Sequence, residues 1–234
     1  MKIVQRFSVI VPALMCACAI LFLGCPQKID GGPSGGAQSG PDPNLRIEGG
    51  VLKGWNETPP TVLNVPAGVT EIAANAFSSC TSLTGVNLPA SLKKIGNSAF
   101  VGCTGLTGTV SLPAKLETVG GDAFSGCTGI TALDFSACTQ SFVINNYAFE
   151  NCTGLTGQVG FSSGLTAIKD KAFRGCNKVS GFDFSQCTQL TEIGSAAFAN
   201  CTAATYKVKT GSPIRNLLLN SQSGITASKI TEVP

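Results

Sequence analysis

Leu83-Thr84-Gly85-Val86-Asn87-Leu88-Pro89-Ala90-Ser91-Leu92-Lys93-Lys94-Ile95-Gly96-Asn97-Ser98-Ala99-Phe100-Val101-Gly102-Cys103 is the stretch that decides the fold. The apolar rhythm Leu83, Val86, Leu88 ends in period two, so Val86 and Leu88 point inward while Asn87 faces water. Leu92 and Ile95 form a second apolar pair, and Gly96 suits a tight bend into the Ala99-Phe100 turn. The order is therefore strand, turn, second extended arm and short helical turn. One such loop is too small to enclose a core, so it must stack on others.

The others are present. Ala76-Phe77-x-x-Cys80 precedes this unit, and Ala123-Phe124-x-x-Cys127, Ala148-Phe149-x-x-Cys152, Ala172-Phe173-x-x-Cys176 and Ala197-Phe198-x-x-Cys201 follow it. The phenylalanines are spaced 23, 24, 25, 24 and 25 residues apart, a period that belongs to a solenoid of short coils. The strand rhythm recurs as Ile130, Leu133, Phe135 and as Val179, Phe182, Phe184. Leu106 with Val110 and Leu112, and Leu155 with Val159 and Phe161, carry one extra residue. Two coils depart from the pattern: Cys138-Thr139-Gln140-Ser141-Phe142 and Cys187-Thr188-Gln189-Leu190 insert residues before the second arm. The echo from Phe135 to Phe184 points to a duplication unit of two coils.

Over about residues 60–205, the pattern LxxVxLPxxLxxIxxxAFxxC resembles the BspA-like leucine-rich repeat family, the cysteine-bearing, treponemal-type class of lipoprotein. The expected architecture is a leucine-rich repeat solenoid. It is mainly β with short helical turns, has a parallel sheet on one face, and consists of six coils plus N- and C-terminal caps. Phe77, Phe100, Phe124, Phe149, Phe173 and Phe198 should stand in one interior file, and Cys80, Cys103, Cys127, Cys152, Cys176 and Cys201 in another. Residues 67–205 form the solenoid, 45–66 an N-terminal cap in which Trp55 covers the first coil, and 206–234 a C-terminal cap.

Ahead of the caps, Lys2 and Arg6 precede the apolar run Phe7 to Leu23, which reads as a secretory n-region and h-region. Leu21-Phe22-Leu23-Gly24-Cys25 resembles a bacterial lipobox, which makes residues 1–24 a lipoprotein signal peptide and Cys25 the lipidated residue. The competing reading is an uncleaved anchor helix, for which the run is short. Residues 25–44, rich in Gly, Pro and Ser, read as a tether. The expectation is an exported protein, lipid-anchored to a bacterial membrane at the cell surface or in the periplasm.

Of 234 residues, 43% are apolar and 12% charged, so the wet surface must consist largely of Ser, Thr, Asn and Gly. Without Lys2 and Arg6 the chain carries 14 cationic against 13 acidic residues. No field draws it to nucleic acid. The absence of histidine excludes Ser-His-Asp, Cys-His and His-zinc chemistry. A carboxylate pair or a Ser-Lys pair stays formally open, but no spacing supports either, and no phosphate-binding glycine motif occurs. The expectation is no enzyme, no cofactor and no metal.

Excluding the leader and Cys25, eight cysteines remain. An even count in an exported protein is compatible with disulfides. Parallel Cβ vectors in stacked coils would misdirect the sulfurs, which favours a column of small hydrophobes. Cys138 and Cys187 stand where leucine-rich repeats place a residue that hydrogen-bonds the turn.

The candidate binding surface is the outer face of the first-arm strands: Thr84, Asn87, Thr107, Thr109, Ser111, Thr131, Asp134, Gln158, Ser180 and Asp183. Lys93, Lys94, Lys169, Lys171 and Arg174 form a positive scatter elsewhere, read as a solvated face. The family resemblance implies a protein partner, with host extracellular-matrix proteins as the adhesion targets. The alternative is a periplasmic scaffold or carrier for a small apolar ligand, held in a pocket lined by Phe182 and Phe184.

Overall fold

A computed structural model describes residues 42–57 and 59–234. The signal peptide, Cys25 and almost all of the tether lie outside these residues. The chain begins with a hairpin, β1 (Leu45–Glu48) and β2 (Val51–Trp55), whose strands pair antiparallel. Each coil then adds two short strands. The pairs are β3 (Val62–Asn64) with β4 (Glu71–Ile72), β5 (Gly85–Asn87) with β6 (Lys94–Ile95), and β7 (Gly108–Ser111) with β8 (Thr118–Val119). They continue as β9 (Ile130–Asp134) with β10 (Phe142–Ile144), β11 (Gly157–Gly160) with β12 (Leu165–Ile168), and β13 (Val179–Asp183) with β14 (Glu192–Ile193). β15 (Thr205–Lys209), helix α1 (Ile214–Asn220) and β16 (Ile230–Val233) complete the chain.

The result is a β-solenoid, as the repeat requires, with parallel pairing between successive coils. Its second arm is more regular than the sequence indicated, because the six second-arm strands join the N-terminal hairpin in an eight-stranded sheet in the order β1-β2-β4-β6-β8-β10-β12-β14. Along the first arm three hydrogen-bonded groups follow one another: β3-β5, β7-β9 and β11-β13-β15-β16. The breaks fall at the coils with one extra residue. Gly108 and Gly157, which open β7 and β11, absorb it in the left-handed region at φ +75° and +65°, and the pairing shifts register just after each. Thr107 N–H to the Thr84 carbonyl (3.0 Å) and Thr156 N–H to the Thr131 carbonyl (3.1 Å) bridge the breaks.

The Ala-Phe segments, expected as short helical turns, are a third hydrogen-bonded wall with no helical residues. Two residues before and two after each Phe of the file the backbone is left-handed: Asn75 and Ser79, Ser98 and Gly102, Asp122 and Gly126, and so on to Ala196 and Asn200. Left-handed backbone costs an L-residue roughly 1–2 kcal/mol. Here it turns the amides toward the next coil. The Phe77, Phe100, Phe124, Phe149 and Phe173 N–H groups donate to the Ala99, Ala123, Ala148, Ala172 and Ala197 carbonyls at 2.7–2.8 Å.

Inside, the six phenylalanines form a single file. Neighbouring ring centroids are 5.3, 5.0, 5.3, 5.2 and 5.8 Å apart, with planes within 14° of parallel. Offset stacking of this kind adds about 0.5–1.5 kcal/mol per pair beyond area burial. Trp55 closes one end edge-on to Phe77 at 4.8 Å, and Tyr206 closes the other against Phe198 at 5.6 Å. The six file cysteines are buried beside the rings.

They are more than small hydrophobes. Cys103, Cys127, Cys152, Cys176 and Cys201 donate from Sγ to the carbonyls of Phe77, Phe100, Phe124, Phe149 and Phe173, one coil back, at 3.0–3.2 Å. The two insert cysteines do likewise at longer range. Cys138 reaches the Leu112 and Pro113 carbonyls at 3.5 Å, and Cys187 the Ser162 carbonyl at 3.6 Å.

Gly96, with its repeat equivalents Gly120 and Gly194, stands at the bend into the Ala-Phe segment. None is left-handed. A Cβ at Gly96 or Gly120 would lie 2.6 Å from the backbone of the preceding coil, so close approach selects glycine there.

Candidate interaction face

The parallel ladders sort the ten predicted face residues into three columns. Asn87, Ser111, Asp134 and Asp183 share the column at the strand exit: Asn64 pairs with Asn87, Ser111 with Asp134, and Asp183 with Lys207. Thr109 and Gln158 stand one column back, opposite Ala132 and Gly181. Thr84, Thr107, Thr131 and Ser180 mark the strand entry. All are exposed except the two aspartates, which are half-buried.

Several of these side chains are committed to the stack. Thr84 Oγ1 donates to the Thr61 carbonyl at 3.0 Å and Thr107 Oγ1 to the Thr84 carbonyl at 3.2 Å. Asn87 Nδ2 donates to Asn64 Oδ1 at 2.7 Å. The aspartates close turns: Asp134 Oδ1 accepts from Ser136 N–H at 2.9 Å and Asp183 Oδ1 from Ser185 N–H at 2.8 Å. Ser136, through its hydroxyl and its N–H, holds the Asp134 carboxyl below the usual range. At Asp183 burial opposes ionisation, and hydrogen bonds from Ser185 together with Lys207 outweigh it. Both are therefore charged at neutral pH. Thr109 and Gln158 are exposed and carry no side-chain hydrogen bond among the described residues.

Sequence reasoning missed the ends of this face. Asn64 falls within the expected cap, although Leu63-Asn64-Val65-Pro66 mirrors Val86-Asn87-Leu88-Pro89. Lys207 was missed too, although Tyr206-Lys207-Val208 sits where Phe182-Asp183-Phe184 sits one coil earlier. The strands β15 and β16 carry the face beyond the sixth coil.

The positive scatter dissolves into pairs between neighbouring coils. Lys93 meets Glu117 at 3.1 Å, Lys94 meets Glu71 at 2.9 Å, Lys169 meets Glu192 at 2.5 Å, and Arg174 meets Glu150 at 3.3 Å. Lys171 donates to the Tyr147 hydroxyl at 3.1 Å. The apolar pocket posited around Phe182 and Phe184 is filled: both are fully buried, with Phe182 4.6 Å from Phe198 and Phe184 4.9 Å from Phe161. Among the described residues no helix is long and apolar enough to cross a membrane.

A family profile described as BspA type Leucine rich repeat region matches residues 70–205 in six copies. The chain belongs to that family. This BspA-type repeat protein is also similar to a leucine-rich repeat protein of Treponema pallidum, at 18% identity over 71% of this chain and 91% of that one, with a TM-score of 0.49. A leucine-rich cell surface protein of Faecalibacterium prausnitzii is 23% identical over 74% of this chain and 60% of its own, with a TM-score of 0.33. A leucine-rich repeat protein of Bacteroides ovatus is 21% identical over 72% and 69%, with a TM-score of 0.25. No curated protein matches significantly.

Proposed function

We propose that this BspA-type repeat protein is an exported, lipid-anchored, non-enzymatic module that binds a protein partner through the outer face of its first-arm strands. The observation that carries the reading is the alignment of short, nearly uncharged side chains across successive parallel strands, with Thr109 and Gln158 unengaged. Stacking makes these residues one broad surface, the usual use of a solenoid face. The motif at Leu21–Cys25 supports attachment through Cys25, and the stable anchoring of a multiply acylated chain suits display at a membrane. Host extracellular-matrix protein is the partner class this reading favours.

Protease treatment of intact cells tests display, and capture on immobilised fibronectin and fibrinogen tests the partner class. The expected result is removal of the protein by external protease and saturable binding. That binding should fall at least tenfold when Thr109→Arg and Gln158→Arg are combined. Full protection from protease excludes the host-adhesion form. Binding unchanged in the double variant moves the interface off this face.

A further inference from the structure

The two inserted turns frame a hollow. Ser141 Oγ donates to Gln189 Oε1 at 3.1 Å across 48 residues, joining the turn after β9 to the turn after β13 over the coil between them. Ser162 Oγ donates to the Cys138 carbonyl, and Cys187 Sγ to the Ser162 carbonyl at 3.6 Å, so the intervening coil is fixed to both. In front of this frame lies a hollow of about 470 Å³, with Leu133 and Phe161 at its floor and Asp134, Ser136, Gly160 and Gln186 around it.

The molecule contains its own example of what such a place holds. Asp134 and Asp183 occupy the same repeat position two coils apart and close the same Ser turn. One coil beyond Asp183 stands Lys207, whose Nζ donates to Asp183 Oδ2 at 3.0 Å. One coil beyond Asp134 stands Gly160, where an added Cβ would meet nothing within 4 Å. No ion pair among the described residues involves Asp134. The equivalent of the lysine is missing, and space is left in its place.

We propose that the hollow over Gly160 receives a lysine side chain from the protein partner, its ammonium on Asp134 and its alkyl stem over Leu133 and Phe161. This rests on the binding-face reading and names the chemistry of the partner at one point of that face. An apolar floor with one charged rim suits a side chain that buries a stem and keeps its head wet.

The test is titration of the full-length protein with Nα-acetyl-lysine N-methylamide, followed by amide shifts in heteronuclear NMR spectra. Nα-acetyl-norleucine N-methylamide is the control that keeps the stem and lacks the charge. Saturable shifts at Gly160 and Ser136 with Kd on the order of 10 mM are expected. Asp134→Asn should weaken them about threefold, as suits a part-exposed charge pair. Gly160→Lys should abolish them and lower the titration midpoint of Asp134. Equal response to both probes, indifference to Asp134→Asn, or an Asp134 midpoint unmoved by Gly160→Lys overturns the assignment. A silent probe with partner capture that still depends on Thr109 and Gln158 removes the lysine site and leaves the binding face standing. Silence in both assays removes both.

Discussion

Cys127 fills space between two stacked coils and donates from Sγ to the Phe100 carbonyl at 3.0 Å. Two substitutions separate those roles. Cys127→Val keeps an apolar side chain, crowds a tight site and removes the donor, and should cost about 1–3 kcal/mol in chemical denaturation. Cys127→Ser keeps a donor and should cost about 1 kcal/mol or less. The reverse order would show that the thiol is only filler. Burial also pushes the thiols of Cys138, Cys152, Cys187 and Cys201 up to about 12, from an ordinary 9.0. Their folded values lie above their unfolded ones, so this contribution is complete below about pH 9 and is lost as pH rises toward about 12, where the unfolded chain ionises first. The denaturation midpoint should therefore fall between about pH 8 and about pH 10.5. Cys152→Ser should fall less over the same interval, and a parallel fall would assign the loss to other groups.

At the scale of the element, the bends into the Ala-Phe turns are limited by contact between coils and not by dihedral freedom. Gly120→Ala would set a Cβ 2.6 Å from the Gly96 carbonyl carbon. It should cost about 1–3 kcal/mol. Gly160→Ala, in open space, should stay within about 0.5 kcal/mol of the parent. Thermal unfolding distinguishes them, and equal effects would refute the crowding account. The repeat singles out Gly120, which recurs as Gly96 and Gly194, and passes over Gly160, but it does not give the reason. The difference lies in what the neighbouring coil places opposite. The same holds for the Ala-Phe segments. A helical turn and a pair of left-handed residues both fit five residues around a buried Phe, and amide donation to the next coil selects the second.

For the whole molecule, stability is carried by contacts between neighbours along one axis, so the ends matter more than in a globular domain. Tyr206 lies against both Phe182 and Phe198, at 5.8 and 5.6 Å. Deleting residues 206–234 uncovers these rings and an unpaired strand edge at β13, and should lower the unfolding temperature and produce aggregates detectable by light scattering. A truncated chain that stays monomeric with its melting point intact would show that the tail is not a cap.

Repetition of Phe, Cys and the period-two strand ends determined the solenoid, its interior columns and the outward direction of Thr109, Asp134 and Gln158, because each depends only on spacing along the chain. The neutralisation of the lysine scatter, the filling of the space around Phe182 and the hollow over Gly160 were decided by tertiary structure. Each arises from residues about 24 or 48 positions apart that the coil stacking brings face to face, and their pairing follows from the register between coils, which no single repeat contains.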